Sequence, residues 1–145
     1  MTPKPFVLHP DLARTTHPVL EWSGLHLRLN RNAAVTWFII VPETVVEDFF
    51  DLSFETQAKI AQLTRALHGF LRCELGLSKV NIAVIGNVVA QLHIHVVGRR
   101  AGDACWPKPV WGHLEATELE WGERLEPLKQ ALTAALVKQG LPIED

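Results

Sequence analysis

The chain has 145 residues, of which 48% are hydrophobic and 21% are charged, and its formal net charge is −2. This length and composition are ordinary for one soluble globular domain with a sizeable core. The slightly negative balance argues against a nucleic-acid-binding protein, so any recognition of phosphate has to be local.

Cysteine use and hydropathy indicate a compartment. Cys73 and Cys105 are far apart and show no metal-type spacing, which fits a reducing environment better than a disulfide scaffold. We find no apolar stretch with the length of a signal peptide or of a membrane span. We therefore expect a cytoplasmic protein that does not engage membranes.

The N-terminal 20 residues are interrupted by four prolines: Pro3, Pro5, Pro10 and Pro18. Proline removes a backbone donor and fixes φ, which disfavours central strands. The pattern predicts an extended arm over residues 1–20, with one short helix or turn near Asp11–Arg14 and no strand-rich start.

The next segment predicts a β-hairpin. Residues 25–31 alternate leucines with polar side chains, which is typical of a half-buried strand. A turn at 31–34 then leads into the continuous apolar run 37–41, which ends at Pro42. Such a run is typical of a strand that is covered on both faces.

A long helix is predicted after Ser53. Serine is a favoured N-cap, and Glu55 places a negative charge in the first turn, where the helix dipole stabilises it. Gly76 is suited to end the helix as a C′ glycine. The apolar stripe of this helix consists of Ile60, Leu63, Leu67, Phe70 and Leu71.

The first six of residues 91–98 alternate polar and apolar side chains strictly. In a strand, Leu92, Ile94 and Val96 would face the core, and Gln91, His93 and His95 would share the opposite face. At a rise of about 3.3 Å per residue, neighbours on one face lie roughly 6.5–7 Å apart. Three such side chains can converge on one tetrahedral group, a phosphate or a metal.

The preceding run 79–85 predicts a partner strand, and Gly86-Asn87 predicts the turn between the two. A tight two-residue hairpin would place Asn81 opposite Leu92, whereas a loop longer by one residue would place it opposite His93. Burial of an unsatisfied amide costs roughly 1–3 kcal/mol. We therefore expect the second register, with Asn81 on the polar face.

The C-terminal third contains a stiff segment and a helix. Trp106-Pro107-Lys108-Pro109-Val110-Trp111-Gly112 cannot continue a central strand, and it could form a lid, a dimer contact or a plug on the sheet edge. Residues 127–139 repeat apolar side chains at helical spacing, with Pro127 at the start and Gly140 past the end. We predict one α+β domain over 1–145 with an antiparallel sheet, in which 113–145 form a C-terminal helical segment.

Three interpretations of the polar row remain open. The row could be the wet face of an ordinary strand. It could be a metal site, because His-x-His on a strand presents two imidazoles, although no nearby cluster supplies a further ligand. It could also hold a nucleophilic histidine whose polar neighbours bind a phosphoryl group.

The heptad Gln91–Val97 resembles the signature of the histidine triad (HIT) superfamily, in which three histidines alternate with apolar residues and two apolar residues follow. The similarity extends from about Leu25 to Gly112. It includes the strand Trp37–Pro42, Asn81, Gly86-Asn87 and Trp106-Pro107. The resemblance implies a HIT-like fold with an antiparallel sheet of about five strands, one long helix, a C-terminal helix and a homodimer with joined sheets.

Three positions depart from that pattern. The first triad position is Gln91, Val45 stands where many members carry another histidine, and Val88 stands where some members have a serine near the leaving group. The Gln-first signature with its downstream Trp-Pro segment looks like a bacterial branch that is described as dinucleoside polyphosphate hydrolase-like.

The resemblance implies the following roles. His93 would attack the α-phosphorus of a nucleoside 5′-phosphoryl anhydride or phosphoramidate to give a covalent nucleotidyl-histidine, with its second ring nitrogen held by a backbone carbonyl. His95 and Gln91 would bind the non-bridging oxygens, and the glutamine amide could not act as a general acid. Candidate substrate contacts are Asn81, Asn87, Trp106 and Asn30, the last near the ribose unless it only caps a turn.

This chemistry requires no metal or cofactor, and the loss of the serine at Val88 favours good leaving groups. Two alternatives stay open. One is a nucleotide-binding or regulatory module with weak chemistry, which the three departures would permit. The other is a His-x-His metalloprotein of unrelated function.

Overall fold

The structure is a computed structural model that describes residues 5–143, and its elements form an antiparallel sheet with helices. The strands are β1 (Thr16–Trp22), β2 (Leu25–Asn30), β3 (Thr36–Pro42), β4 (Lys79–Ala83) and β5 (Ile94–Arg99). The helices are α1 (Pro10–Thr15), α2 (Phe54–Gly69) and α3 (Leu125–Lys138). The strand order is β1-β2-β3-β5-β4, and every neighbouring pair is antiparallel. The predicted α+β class with about five strands is confirmed.

The predicted hairpin is present. β2 pairs with β3, with Leu25 opposite Pro42 and Leu29 opposite Phe38. The leucines of β2 alternate with half-buried polar residues, while β3 is buried from Phe38 to Pro42. A strand with apolar side chains on both faces requires cover on both, and the fold provides it.

The long helix begins after its predicted cap Ser53, and its helical turns continue beyond α2 to Glu74, just before Gly76. The Ser53 hydroxyl accepts a hydrogen bond from the Thr56 N–H at 3.1 Å. A π-helical turn, Phe70–Glu74, follows α2, and Gly76 has φ +66°. The five predicted apolar residues of the stripe are all buried.

Two layers cover the sheet. On one face, α2 and α3 pack on the side chains of Leu92, Ile94 and Val96 in the main core. On the other face, Leu12 and the extended residues 5–9, here called the N-terminal arm, contact β3, and a second small cluster forms around Val110. The histidines face this second, thinner layer.

The prediction for residues 1–20, of which residues 1–4 lie outside the described part of the chain, was partly wrong. The short helix is confirmed as α1, but Thr16–Trp22 form a strand that contains Pro18. β1 lies at the edge of the sheet, and its pairing with β2 is irregular between Pro18 and Leu20. Edge strands tolerate proline because one side of their backbone needs no partner.

The predicted pairing of β4 with β5 was also wrong in register. Asn81 lies opposite Val97 rather than His93, and residues 84–93 form the connection instead of a tight turn at Gly86-Asn87. β5 begins only at Ile94, so Gln91 and His93 precede the strand. The predicted face is confirmed, because the pairing still places Asn81 on the side of His95.

The C-terminal elements match the predicted pattern. Pro127 lies in the first turn of α3, and Gly140 follows the helix with φ +90°. Within the preceding stiff segment, Val110 and Trp111 pack against Val97 and Trp37, so this part covers the sheet. In residues 5–143 no helix combines the length and the apolarity that a membrane span needs.

Candidate active site

His95 is fixed in one tautomer by a tryptophan. It lies on β5 opposite Ile39, and the indole Nε1–H of Trp37 donates a hydrogen bond to His95 Nδ1 at 3.0 Å. An indole nitrogen can only donate, so Nδ1 has to be the acceptor. The ring proton of neutral His95 therefore lies on Nε2, and this nitrogen is a hydrogen-bond donor.

His95 is neutral at physiological pH. Its side chain is almost fully buried, and this burial, with a smaller contribution from neighbouring His93, lowers its pKa to about 3. Burial penalises the charged imidazolium form. His95 can donate a hydrogen bond from Nε2, but it does not carry a second proton near pH 7.

His93 is held in the opposite tautomer. Its Nδ1 lies 2.6 Å from the backbone carbonyl oxygen of Gln91. A carbonyl oxygen only accepts, so Nδ1 carries the proton and Nε2 keeps its lone pair. The predicted backbone carbonyl partner of His93 is confirmed. The lone pair of Nε2 is left free, so this second nitrogen can act as a nucleophile.

The two rings lie together, with centroids 4.8 Å apart and planes at 73°. In the described part of the chain, neither Nε2 is bonded to another residue, and neither belongs to the fully buried polar atoms without a partner. Each Nε2 therefore retains access to a ligand. The pair offers one lone pair and one N–H donor side by side, which is what attack on a phosphoryl group and binding of its oxygen require.

Gln91 holds the N-terminal arm. Its side-chain oxygen accepts from the His9 N–H at 2.8 Å, and its side-chain nitrogen donates to the Val7 carbonyl at 2.9 Å. Both ends of the amide are thus engaged, and one N–H remains. Binding of a phosphoryl oxygen by Gln91 stays a prediction, and the remaining N–H would be the donor.

Of the two tryptophans in the segment 106–112, Trp111 and not Trp106 contacts His95. The Trp111 ring lies 5.3 Å from the His95 ring and 5.9 Å from the Trp37 ring, edge to face with both. The Trp106 ring lies below the guanidinium of Arg99, at 5.5 Å. The predicted contact of Trp106 with substrate remains untested.

The three asparagines lie in different places. The Asn81 oxygen accepts from Arg99 Nη1 at 3.1 Å, at the far end of β5. Asn87 is exposed on the connection between β4 and β5. The Asn30 side chain accepts from the Asn32 N–H at 2.9 Å, which is the turn-capping role that sequence left open.

A separate cluster has metal-type ligands. Within residues 5–143, only Glu21, His26 and Glu43 bring three such ligand atoms within 4.8 Å of one another. The two ring nitrogens of His26 face different carboxylates, at 3.2 Å and 2.8 Å. The group is therefore arranged as an imidazole between two hydrogen-bond acceptors, and it does not include His93 or His95.

Sequence reasoning did not find Trp37 or the arm as parts of the site, and it included Trp111 only within a segment that could form a lid. A signal for Trp37 existed, because its indole N–H in a strand covered on both faces requires a buried acceptor. The contacts of the arm with Gln91 join residues more than 80 positions apart. No local pattern indicates such a contact.

Comparisons with known proteins identify the family of the chain. The family model described as the HIT domain matches residues 14–102. The comparison with curated proteins finds no match.

Three solved structures are similar over nearly the whole chain. A histidine triad protein from Sinorhizobium meliloti is 31% identical, with a TM-score of 0.83, and 90% of this chain and 96% of that one are covered. One from Bradyrhizobium japonicum is 28% identical, with a TM-score of 0.84 and 90% and 98% covered. One from Marinobacter aquaeolei is 31% identical, with a TM-score of 0.84 and 92% and 98% covered. The chain therefore belongs to the histidine triad (HIT) family and has its fold.

Proposed function

We propose that the protein is a nucleotide hydrolase or nucleotidyl transferase that cleaves nucleoside 5′-phosphoryl anhydrides, of the dinucleoside polyphosphate or adenylylated type, through a covalent intermediate on His93. The observation that carries the proposal is the hydrogen bond of 2.6 Å between His93 Nδ1 and the Gln91 carbonyl, which leaves the Nε2 lone pair free.

In the first step the Nε2 lone pair of His93 forms a bond to the α-phosphorus. The bond between phosphorus and the leaving-group oxygen breaks, and its electron pair leaves with that oxygen. The phosphorylated ring carries a positive charge, which the Gln91 carbonyl stabilises through Nδ1–H. Water then attacks phosphorus and loses a proton, the bond to Nε2 breaks, and neutral His93 and a nucleoside monophosphate are released.

His95 stabilises charge on phosphorus. Its Nε2–H, set by the bond from Trp37 to Nδ1, is available to a non-bridging oxygen as negative charge develops. Because the pKa of His95 is lowered to about 3, the ring supplies no imidazolium proton to the leaving group at neutral pH. This favours leaving groups that are stable as anions, such as polyphosphate or an acyl phosphate oxygen.

The test is the replacement of His93. We expect His93→Ala and His93→Asn to abolish hydrolysis of diadenosine tetraphosphate and of an adenylylated mixed anhydride while AMP binding persists. Wild-type protein, quenched during turnover, should show a nucleotidyl adduct by mass spectrometry. His113→Ala, on an exposed loop, is the matched control. Retained hydrolysis by purified His93→Ala protein would contradict the proposal.

For the assembly, we propose a homodimer that joins the two sheets at β4. This strand lies at the edge of the sheet, and Ile82 and Val84 are exposed beside it. Both residues line an apolar cavity of about 750 Å³, together with Phe50 and the outer side of α2. Exposed apolar patches next to an unpaired strand are typical of association surfaces.

Light scattering tests the dimer. The wild-type protein should have twice the mass of one chain, and Ile82→Asp should shift it to the mass of one chain. Val7→Asp, at an exposed position on the opposite layer, is the control. A wild-type monomer at high protein concentration would contradict the dimer and leave the chemistry of His93 untouched.

A further inference from the structure

Two of the positions at which the sequence departs from the family pattern line the same cavity. Gln91 and Val45 both face a space of about 600 Å³, whose remaining walls are residues 5–7 of the N-terminal arm, Glu43 and Thr44. The two positions at which many family members carry histidine therefore lie next to the N-terminal arm in this chain. This cavity adjoins the catalytic histidine through Gln91, whose carbonyl binds His93.

In addition to the apolar packing of Phe6 and Leu8 against β3, two further contacts hold the arm. Near the histidines, the Gln91 amide bonds to the backbone of Val7 and His9, at 2.9 Å and 2.8 Å. At the other point, the Phe6 ring stacks on His26 with centroids 4.9 Å apart. Only the first point involves a residue of the family signature, so one residue orients His93 by its backbone and the arm by its side chain.

The chemistry of the cavity disfavours a phosphate chain as its occupant. Among the described residues that line it, none is lysine or arginine, and Glu43 is the only one with a formal charge. The walls include Pro5, Phe6, Val7 and Val45. Such a surface favours an uncharged organic group with an apolar face and disfavours a polyanion.

We propose that Gln91 is a positioning residue that latches the N-terminal arm beside His93, so that the arm forms a wall of a binding site for the uncharged organic group attached to the substrate phosphorus. This inference rests on the proposed function for the identity of the ligand. The latch itself is a property of the folded chain, and it can be measured without turnover.

Gln91→Ala removes both hydrogen bonds of the latch. Amide exchange measured by NMR should be at least ~10-fold faster for the His9 N–H, since two neutral hydrogen bonds are lost. We expect KM, or the Kd for AMP, to rise ~10-fold and kcat to change less than ~3-fold. Gln62→Ala, at an exposed helix position, is the matched control.

A second pair of variants tests the same latch from the arm. His9 has φ −55°, which proline adopts without strain, so His9→Pro removes the N–H that Gln91 accepts. His9→Ala keeps that N–H and loses only the bond from the Asp11 N–H to His9 Nδ1. His9→Pro should raise KM as Gln91→Ala does, and His9→Ala should leave KM unchanged. The double variant Gln91→Ala/His9→Pro should have a KM no higher than that of either of its single variants.

The outcomes separate the two proposals. Unchanged exchange of the His9 amide in Gln91→Ala overturns the latch, whatever the protein hydrolyses. A loss carried by kcat at constant KM also overturns it, because Gln91 would then act on the transition state. If the wild type hydrolyses no nucleotide but His9 exchange accelerates, the latch stands and the proposed function fails. A rise in Kd for AMP assigns the nucleoside to the cavity, whereas a rise in KM alone assigns the leaving group; each supports the binding site.

Discussion

His95 and Arg99 project from the same face of β5, four residues apart, and both are buried. Each of the three nitrogens of the Arg99 guanidinium has a partner: Asp103 accepts from Nε at 2.8 Å and from Nη2 at 3.0 Å, and Asn81 accepts from Nη1. At His95 only Nδ1 has a partner, and Nε2 remains open. The strand thus has a charged end at Arg99, where the guanidinium bonds to other residues of the protein. It also has a neutral end at His95, where Nε2 can still bond to a ligand.

This difference shows that a buried ionisable side chain of one strand can stay charged or become neutral, depending on its partners. The Arg99 hydrogen bond lowers the pKa of the Asp103 carboxyl to about 2, and the hydrogen bond to Asp103 raises the pKa of Arg99, so both charges persist. Among the described residues no ion pair involves His93 or His95, and burial keeps His95 uncharged. We infer that the charged end stabilises the fold and the loop 100–106, while the neutral end is available for chemistry.

The largest expected effect on stability comes from breaking the charged end. Asp103→Ala leaves the Arg99 guanidinium buried without its counter-charge, which should cost roughly 3–5 kcal/mol of unfolding free energy. Urea denaturation measures the loss, and Asp51→Ala, at an exposed position, is the control. A loss below about 1 kcal/mol would show that this pair is not the stabilising element that its geometry indicates.

Acid sensitivity should separate the two ends by pH. The folded-state pKa of His95, about 3, lies below its ordinary value of 6.5, so the unfolded chain binds more protons between these values. The contribution of neutral His95 is therefore complete above pH 6.5 and is lost as the pH falls toward 3, on the order of a few kcal/mol. The contribution of Asp103 is lost only in the lower window, from 3.8 down to about 2.

Unfolding free energies measured between pH 7 and pH 4 check this order. His95→Asn should flatten the curve in that range, whereas Asp103→Asn should leave its slope unchanged while lowering its level. If His95→Asn retains the full slope, another group is responsible and the neutral, buried state of His95 is wrong.

The smallest expected effect concerns the tautomer of His95. Trp37→Phe removes the indole N–H that Nδ1 accepts, so the proton of His95 can move to Nδ1 and its Nε2 can lose the donor role. We expect a loss of about 1 kcal/mol in stability and roughly a 10-fold fall in kcat/KM.

Trp111→Phe is the matched comparison for that change. In the described chain the Trp111 Nε1–H is buried without a hydrogen-bond partner, so its removal should cost less stability than Trp37→Phe. Equal losses in the two variants would mean that ring volume, and not the hydrogen bond to His95, explains the effect of Trp37.

Much of the fold and the centre of the site could be predicted from local patterns. The alternation from Gln91 to Val97 placed Leu92, Ile94 and Val96 in the core and both histidines on the other side, as the structure has them. The resemblance to the HIT signature made His93 the candidate nucleophile, and the need for a proton on its Nδ1 predicted the carbonyl partner that the structure has. The register of β4 on β5 could not be predicted, because the length of the connection decides it and turn residues at 86–87 suggest a shorter one.

The strand faces, the N-cap of the long helix and the HIT family could be recognised from local patterns, because side-chain periodicity and capping depend on residues a few positions apart. That Trp37 sets the tautomer of His95 and that Gln91 binds the N-terminal arm could be seen only in the folded chain. These contacts join residues 58 and more than 80 positions apart. These contacts form only after folding has brought distant parts of the chain together, so no local sequence pattern predicts them.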